Sequence, residues 1–397
     1  MKGLLGSRER RFGLMQATFW AYIGTFFLYI VTLLSARGLS SSQIGYLTAL
    51  LTVASMVGQP IMGALSDATR RNRAVYIGCC VAEYLAFVAL YFSRNLWQMA
   101  ISIVFIGLMK DPAACVLDSW LIKALPDGTG AYGRLRGMGS IAVAVEGLFY
   151  GFLLDHFGLG LMPVAAGITL CLLVAAALTV PELAAESAPH TAEKKTGMTA
   201  ALRATMTPRL VGVLLFFLVL GVTAQPMYNF MPKVLEMLGG SSRHLGLMYF
   251  LNAATEGLFM QGLGSLKKLS AEKRMLLSCV LYASCTALVA LCGNLYLAVG
   301  LMVINGAAWG LHLPARREMI AQLVPERFQT TMQGMSDMLY AGLGLTIGSA
   351  LTGNLLDAAG LRMAFLVLAA GEILSTLVLV GAMRLRKTGD GKVALRG

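Results

Sequence analysis

The sequence predicts an all-α membrane protein with twelve transmembrane helices, arranged as two six-helix halves related by pseudo-twofold symmetry. Hydrophobic residues make up 57% of the 397-residue chain and charged residues only 13%. Such a composition cannot cover a water-soluble globule with polar surface. Twelve apolar segments reach membrane-spanning length, and a nine-residue pattern recurs at matching places in the two halves.

The predicted spans alternate with short polar connections. A helix needs about 20 apolar residues to cross the hydrocarbon core, and we number the segments of about this length as spans 1 to 12. In order they cover residues 12–36, 43–66, 74–93, 96–124, 134–155, 159–180, 209–235, 243–266, 274–292, 295–323, 328–357 and 360–383.

Basic residues are distributed unevenly between the two sides of the membrane. The N-terminal tail, the even-numbered connections and the C-terminal tail, counted with the span ends that adjoin them, hold 26 of the 32 Lys and Arg residues, and Lys110 lies deep in a span. Positive residues concentrate on the cytoplasmic side, so we expect a multi-pass inner (plasma) membrane protein with both termini cytoplasmic. The net charge of +12 then reflects topology and lipid headgroups, not nucleic acid. The odd-numbered connections hold only Arg37, Arg94, Lys233, Arg243 and Arg362.

The chain carries an internal duplication. Residues 151–159 after span 5 and residues 353–361 after span 11 both read G-x-L-L-D-x-x-G-L. Between the halves, residues 181–208 are polar and without apolar periodicity, as expected of a cytoplasmic linker. We therefore predict an N-terminal six-helix bundle at 1–180, a linker at 181–208, and a C-terminal bundle with a short tail at 209–397. Two such repeats suit alternating access around a site near the midplane.

The connection after span 2 carries a signature. Residues 63–71 read G-A-L-S-D-A-T-R-R, which resembles the G-x-x-x-D-x-x-G-R-K/R motif of the major facilitator superfamily, with Arg70 in place of Gly. The resemblance implies the major facilitator fold. We expect Asp67 to pair with a neighbouring basic side chain or helix N-terminal amides and to act as a conformational latch. Gly63 and Arg71 belong to the same gating element.

Ionisable side chains inside the spans are functional candidates by default, because each costs roughly 3 kcal/mol to insert. In span 4, Asp111 and Asp118 are seven residues apart and share one helical face. Lys110 points elsewhere, and we expect it to form a structural ion pair with an acid on another span, Glu83 or Glu146.

A narrower resemblance, to the lactose permease-like branch of oligosaccharide:proton symporters, covers nearly the whole chain. Residues 59–67 match that group's Q-P-L-F-G-L-L-S-D, and residues 132–136 match its F/Y-G-R-x-R. In that group an acid eighteen residues before the second Arg pairs with it to grip sugar hydroxyls. The resemblance places this pair on Asp118 and Arg136, a further polar position on Asp111, and a second sugar-binding acid on Glu256.

The departures from that group concern ring stacking and proton coupling. The group's stacking Trp falls on Val143, so Trp20, Trp120 or Trp309 would have to supply another face. The group's proton-carrying Glu, two residues before a Pro in span 10, falls on His312, and an unperturbed imidazole titrates at about pH 6.5, which suits a proton carrier. A buried His that merely bonds a carbonyl is the alternative. Glu256 is the rival proton carrier, and Asp337 in span 11 is a further candidate.

We expect a secondary transporter, with no cofactor beyond the proton as coupling ion, that imports a small polyhydroxylated solute such as a sugar. Nucleoside or organic-acid symport and drug or metabolite export are the alternatives, although span 5 lacks the G-x-x-x-G-P-x-x-G-G element typical of exporters. The chain shows no Ser/His pair, metal cluster or soluble catalytic domain, which argues against an enzyme. A transport-dead sensor is also open. We expect a monomer in a bacterial membrane whose partners are solute, protons and lipid.

Overall fold

The computed structural model describes residues 7–69, 71–125, 128–180, 206–260 and 268–385. The secondary structure of these ranges consists of helices joined by short connections, with no strand among them. Most of the predicted linker, the C-terminal end of span 8 and residue Arg70 of the signature lie outside the described residues.

The six N-terminal spans all form helices near their predicted bounds. Two prolines lie inside helices: Pro60 does not end the helix of span 2, and Pro112 does not end that of span 4. Span 4 begins with a side-chain cap, in which Asn95 accepts a hydrogen bond of 2.9 Å from the amide of Gln98 and so satisfies one of the free amides of the first turn. The helices are Ser7–Phe26 and Ile30–Ala36 (span 1), Ser41–Thr69, Asn72–Phe92, Leu96–Ala124, Gly128–Phe157 and Leu161–Thr179.

The C-terminal spans are less regular. The helices are Pro208–Asn229 and Met231–Met237 (span 7), Ser242–Met260, Ala271–Leu291, Leu295–Leu323, Glu326–Asp337 followed by a π-helical segment at Met338–Gly344, and Leu345–Arg384. The last helix breaks at Gly360, whose φ of 74° is left-handed. Because only Gly adopts that conformation readily, the break separates spans 11 and 12 at the predicted place.

The count of membrane spans agrees with the sequence. Ten stretches of the described residues are long and apolar enough to cross a membrane, and one of them, Thr331–Arg384, has 54 residues and contains spans 11 and 12. The helix of span 8, Ser242–Met260, is not among the ten but lies at its predicted position. The predicted all-helical membrane fold is therefore confirmed.

The described residues divide into two compact units. Unit 1 holds the residues up to 180 together with Pro232–Ala254 and Asn294–Gly300, and unit 2 holds the remainder. In unit 1, spans 2 and 3 both pack on span 4, and spans 5 and 6 pack on span 1. In unit 2, the Leu345–Arg384 helix packs on spans 7 and 9. The division at residues 181–208 stays a prediction.

Glycine allows a close contact between spans 2 and 4 in unit 1. A Cβ on Gly58 of span 2 would lie 2.5 Å from the carbonyl oxygen of Leu108, and a Cβ on Gly107 of span 4 would lie 2.4 Å from that of Leu51. Such distances are too short for any side chain, so the two backbones touch directly, as small residues allow between membrane helices. This contact fixes span 4, which carries the acids of the candidate site.

Candidate functional site

Five side chains from spans 1, 4 and 5 form a polar cluster in unit 1, here called the Asp118 cluster. The Gln16 amide donates to one carboxylate oxygen of Asp118 at 2.9 Å, and the Tyr132 hydroxyl donates to the other at 2.8 Å. The indole N–H of Trp20 donates to the Gln16 carbonyl at 3.1 Å. The guanidinium carbon of Arg136 lies 3.8 Å from the centre of the Trp20 ring.

Helical spacing explains why these residues meet. Gln16 and Trp20 are four residues apart on span 1, and Tyr132 and Arg136 are four apart on span 5, so each pair shares one helix face. Gly139 makes room for the indole, because a Cβ there would lie 2.4 Å from Trp20 Cδ1. The cluster is thus built from two short helical faces that converge on one carboxylate.

The expected direct ion pair between Asp118 and Arg136 is wrong. Neutral donors hold both oxygens of Asp118, while Arg136 packs on Trp20 and approaches the Ser140 hydroxyl at 3.5 Å. Asp118 and Arg136 belong to one cluster but are connected only indirectly, since Gln16 contacts Asp118 and Trp20, and Trp20 contacts Arg136. Trp20, predicted as a stacking face for the solute, has one face covered by Arg136.

Two members of the cluster had no role predicted from sequence. Tyr132 was part of the span 5 motif but had no predicted role, and Gln16 was not among the predicted site residues. The signal that could have identified Gln16 is its position one helical turn before Trp20, on a span that is otherwise apolar at that depth.

Lys110 pairs with its neighbour Asp111, not with an acid on another span as predicted. The flexible lysine stem lets the ammonium fold back along span 4, and it lies 4.2 Å from the centre of the Phe27 ring. Glu83 is fully buried, and neither of its carboxyl oxygens has a hydrogen-bond partner among the described residues. Asp111 keeps 36% of its side chain exposed and so remains open to a ligand.

In unit 2, span 10 and span 11 form a second cluster, here called the Arg316 cluster. His312 is fully buried, and its ring stacks against both Trp309, at 5.6 Å, and Tyr340, at 4.6 Å between ring centres. Arg316, one turn later, pairs with Asp337 and lies 5.2 Å from the Tyr340 ring centre. In the described part of the chain, neither ring nitrogen of His312 has a hydrogen-bond partner.

The predicted coupling residues converge on this region. Asp337 ends a helix immediately before the π-helical segment, a type of irregularity often found at functional sites. Glu256 lies beside span 10, because a Cβ on Gly310 would be only 2.7 Å from the Glu256 carbonyl oxygen. The residues that the structure describes contain no group of three or more His, Cys, Asp and Glu side chains arranged to hold a metal ion.

Asp67 of the signature pairs with Lys123. Its carboxylate lies 3.0 Å from the ammonium, which links the end of span 2 to the end of span 4. Both side chains are exposed, at 68% and 49%. Arg71 is the N-cap residue of span 3, but its side chain makes no capping hydrogen bond. A Cβ on Gly63 would meet no atom within 4 Å. The latch function of these residues stays a prediction.

At the opposite end of unit 1, span 5 touches the start of span 8 in what we call the Asp155 contact. The Asp155 carboxylate accepts a hydrogen bond of 2.6 Å from Ser241 and lies 3.7 Å from the Arg243 guanidinium. A Cβ on Gly246 would lie 2.1 Å from the Gly147 carbonyl oxygen, so the two helices meet backbone to backbone. The sequence showed Asp155 only as the acid of the repeated pattern.

Comparisons with known proteins agree with this architecture. The profile of the family described as "MFS_1 like family" matches residues 16–367. A maltose permease from Geobacillus stearothermophilus is 25% identical over 376 residues, which cover 94% of each chain. The crystal structure of the nucleoside transporter NupG superposes with a TM-score of 0.81 at 17% identity, over 95% of this chain and 99% of that one. A POT family transporter in complex with 5-aminolevulinic acid gives a TM-score of 0.70 at 15% identity, over 96% and 97%. This chain belongs to the MFS_1-like family and has the fold of major facilitator transporters.

Proposed function

We propose that this transporter imports a small polyhydroxylated solute, most simply a sugar, together with protons by alternating access. The Asp118 cluster carries the proposal, because it places a carboxylate, an amide, a phenol, an indole N–H and a guanidinium together inside the spans. Each hydroxyl of a sugar both donates and accepts a hydrogen bond, so a mixed set of donors and acceptors suits it. The similarity to a maltose permease supports the same solute class.

The contacts around Asp118 suggest how a solute binds. The donors now on the carboxylate are neutral, so sugar hydroxyls can replace them without separating a buried ion pair. Exchange of one neutral donor on the carboxylate for another changes the free energy little. The gain then comes from the bonds that the Arg136 fork makes to the solute. Asp111, exposed on the same face of span 4, offers a further carboxylate for hydroxyl groups.

Proton coupling is assigned to Asp337, His312 and Glu256 in the second unit. Arg316 is almost wholly buried and its described ionic partner is Asp337. Protonation of Asp337 would remove the negative charge that compensates Arg316, and an unpaired buried charge is costly. The conformational equilibrium would then shift toward a state in which Arg316 finds water or another partner. His312 and Glu256 are included in the same pathway, because the Glu256 backbone packs against Gly310, two residues before His312.

Alternating access further requires contacts that open and close at the two ends of the spans. The Asp155 contact provides one at the non-cytoplasmic side expected from the charge pattern. The pair of Asp67 and Lys123 provides the other. Both contacts consist of polar groups whose partners water can replace. Both can therefore break and form again as the carrier changes conformation.

A nucleoside is the second candidate solute. The resemblance in fold to the nucleoside transporter NupG favours it, and a nucleoside combines ribose hydroxyls with a flat base that an aromatic side chain can stack on. Arg136 already covers one face of Trp20, which leaves less aromatic surface for a base and favours a sugar. Organic-acid symport and export remain outcomes of the same test.

The test is ligand-dependent stabilisation of the purified full-length protein. Sugars, nucleosides and organic acids are screened for a rise in melting temperature, since a ligand at 100 times its Kd stabilises the folded state by about 2.7 kcal/mol. We expect the effective ligand to be a saccharide, and Asp118→Asn and Arg136→Gln each to abolish the shift. Arg94→Gln, which removes an exposed cation outside the cluster, is the matched control. Near-normal affinity in the Asp118 and Arg136 variants would contradict the site, and stabilisation by nucleosides alone would favour the second candidate.

A further inference from the structure

A groove in unit 1 shares no lining residue with the Asp118 cluster. Spans 2 and 3 each pack on span 4 but touch each other little, and the space between them has a volume of about 390 Å³. That is within the range of about 300–1,000 Å³ usual for small-molecule sites. The groove extends from the connection after span 2 into the spans, where Met109 of span 4 forms part of its wall.

The walls of the groove are apolar and open to the surroundings of the bundle. Met62 and Leu65 of span 2 face Val75 and Gly78 of span 3, and Leu65 is 45% exposed. In a bilayer, an exposed apolar surface of a span contacts lipid chains. The groove is therefore shaped to take an acyl chain rather than a water-soluble ligand.

One cation stands at the mouth of the groove. Arg71 lines it at the end from which span 3 starts, the side that the distribution of basic residues assigns to the cytoplasm. Among the residues that the structure describes, the Arg71 guanidinium has neither a hydrogen bond nor an ion pair; Asp67, four residues earlier, is paired with Lys123. A cation at headgroup depth above an apolar groove complements an anionic phospholipid at both of its ends.

We propose that this groove is a binding site for one anionic phospholipid of the cytoplasmic leaflet. The acyl chain lies between spans 2 and 3, and the phosphate pairs with Arg71. Arginine suits this role because its planar fork binds two phosphate oxygens at once. The site is independent of the solute and the proton, so it holds whether or not the transported solute is a sugar.

Two variants test the two ends of the site in the purified full-length protein. Arg71→Gln removes the headgroup contact. Gly78→Leu fills the groove, and it fits because a Cβ on Gly78 meets no atom within 4 Å. Arg94→Gln is the control for charge at the opposite membrane surface. Gly381→Leu is the control for a glycine that likewise has open space around it, on span 12.

The experiment counts bound phospholipids by native mass spectrometry, with phosphatidylglycerol and phosphatidylcholine of identical acyl chains. We expect one phosphatidylglycerol to be retained in preference to phosphatidylcholine, about fivefold weaker retention in Arg71→Gln from the loss of about 1 kcal/mol, and loss of the bound lipid in Gly78→Leu. Both controls should bind as the parent protein does. Equal retention of the two lipids, an equal loss in Arg94→Gln, or displacement by glycerol 3-phosphate at lipid-like concentrations would each overturn the proposal.

Discussion

Replacing Asp337 by Asn should destabilise the protein more than replacing its partner. Arg316 is 5% exposed at its side chain and Asp337 is 47% exposed. Asp337→Asn leaves a buried guanidinium without its ionic partner, which costs about 3–5 kcal/mol in a buried pair. Asp337 is only half-buried, so the cost should fall near the lower figure. Arg316→Met leaves a half-exposed carboxylate, and its cost should be smaller.

The double variant distinguishes the loss of a buried ion pair from two independent losses. With Arg316→Met and Asp337→Asn together, neither charge remains, so the double variant should be more stable than Asp337→Asn alone. Melting temperatures of the detergent-purified proteins measure the series, and a cost of about 3 kcal/mol should lower the midpoint by on the order of 4 °C. Asp67→Asn is the comparison for an exposed pair, which should cost about 0–1 kcal/mol. Additive losses in the double variant, or an Asp337→Asn protein as stable as the parent, would refute the buried-pair account.

Three further predictions concern the contacts at the ends and centre of unit 1. Gly246→Trp should separate spans 5 and 8, because even a Cβ would lie 2.1 Å from a carbonyl oxygen. The separation should make a cysteine introduced at Ser242 react faster with an impermeant maleimide. Gly300→Trp, at a position with open space around it, should leave the labelling rate unchanged. Asp67→Asn should slow solute exchange strongly while equilibrium affinity changes only a few-fold; a large loss of affinity with normal exchange would contradict a latch. Gln16→Leu should weaken solute binding without unfolding the protein, since it releases both Asp118 and the Trp20 N–H; unchanged affinity by calorimetry would remove Gln16 from the site.

The parts of the fold that could be predicted from sequence follow from local physics. The cost of exposing backbone to lipid forces each apolar segment into a helix, so the spans lie where hydropathy placed them. The break between spans 11 and 12 also follows from sequence, because Gly360, the eighth residue of the repeated pattern, readily adopts the left-handed conformation. The π-helical segment at Met338–Gly344 does not, since its apolar, glycine-containing sequence is equally compatible with an α-helix.

The candidate site was located by sequence but its contacts were not. The spacing of Asp118 and Arg136 matched a known pattern, yet their actual partners depend on which donors span 1 brings to span 4. Gln16 is 102 residues from Asp118, and no local rule connects them. The predicted partner of Lys110 was wrong for the opposite reason. Its ammonium pairs with the adjacent acid, Asp111, and not with an acid on another span.

Proton symport requires that sugar and protons move through this chain together. Transport is measured in proteoliposomes of the purified full-length protein, with a radiolabelled saccharide that raises its melting temperature and an imposed pH gradient with an alkaline interior. We expect accumulation of the sugar above its external concentration, abolished by a protonophore and accompanied by alkalinisation of the medium. Asp337→Asn should keep exchange of sugar down its own gradient but lose the accumulation. Transport by the parent protein that is indifferent to the pH gradient and the protonophore would contradict proton symport.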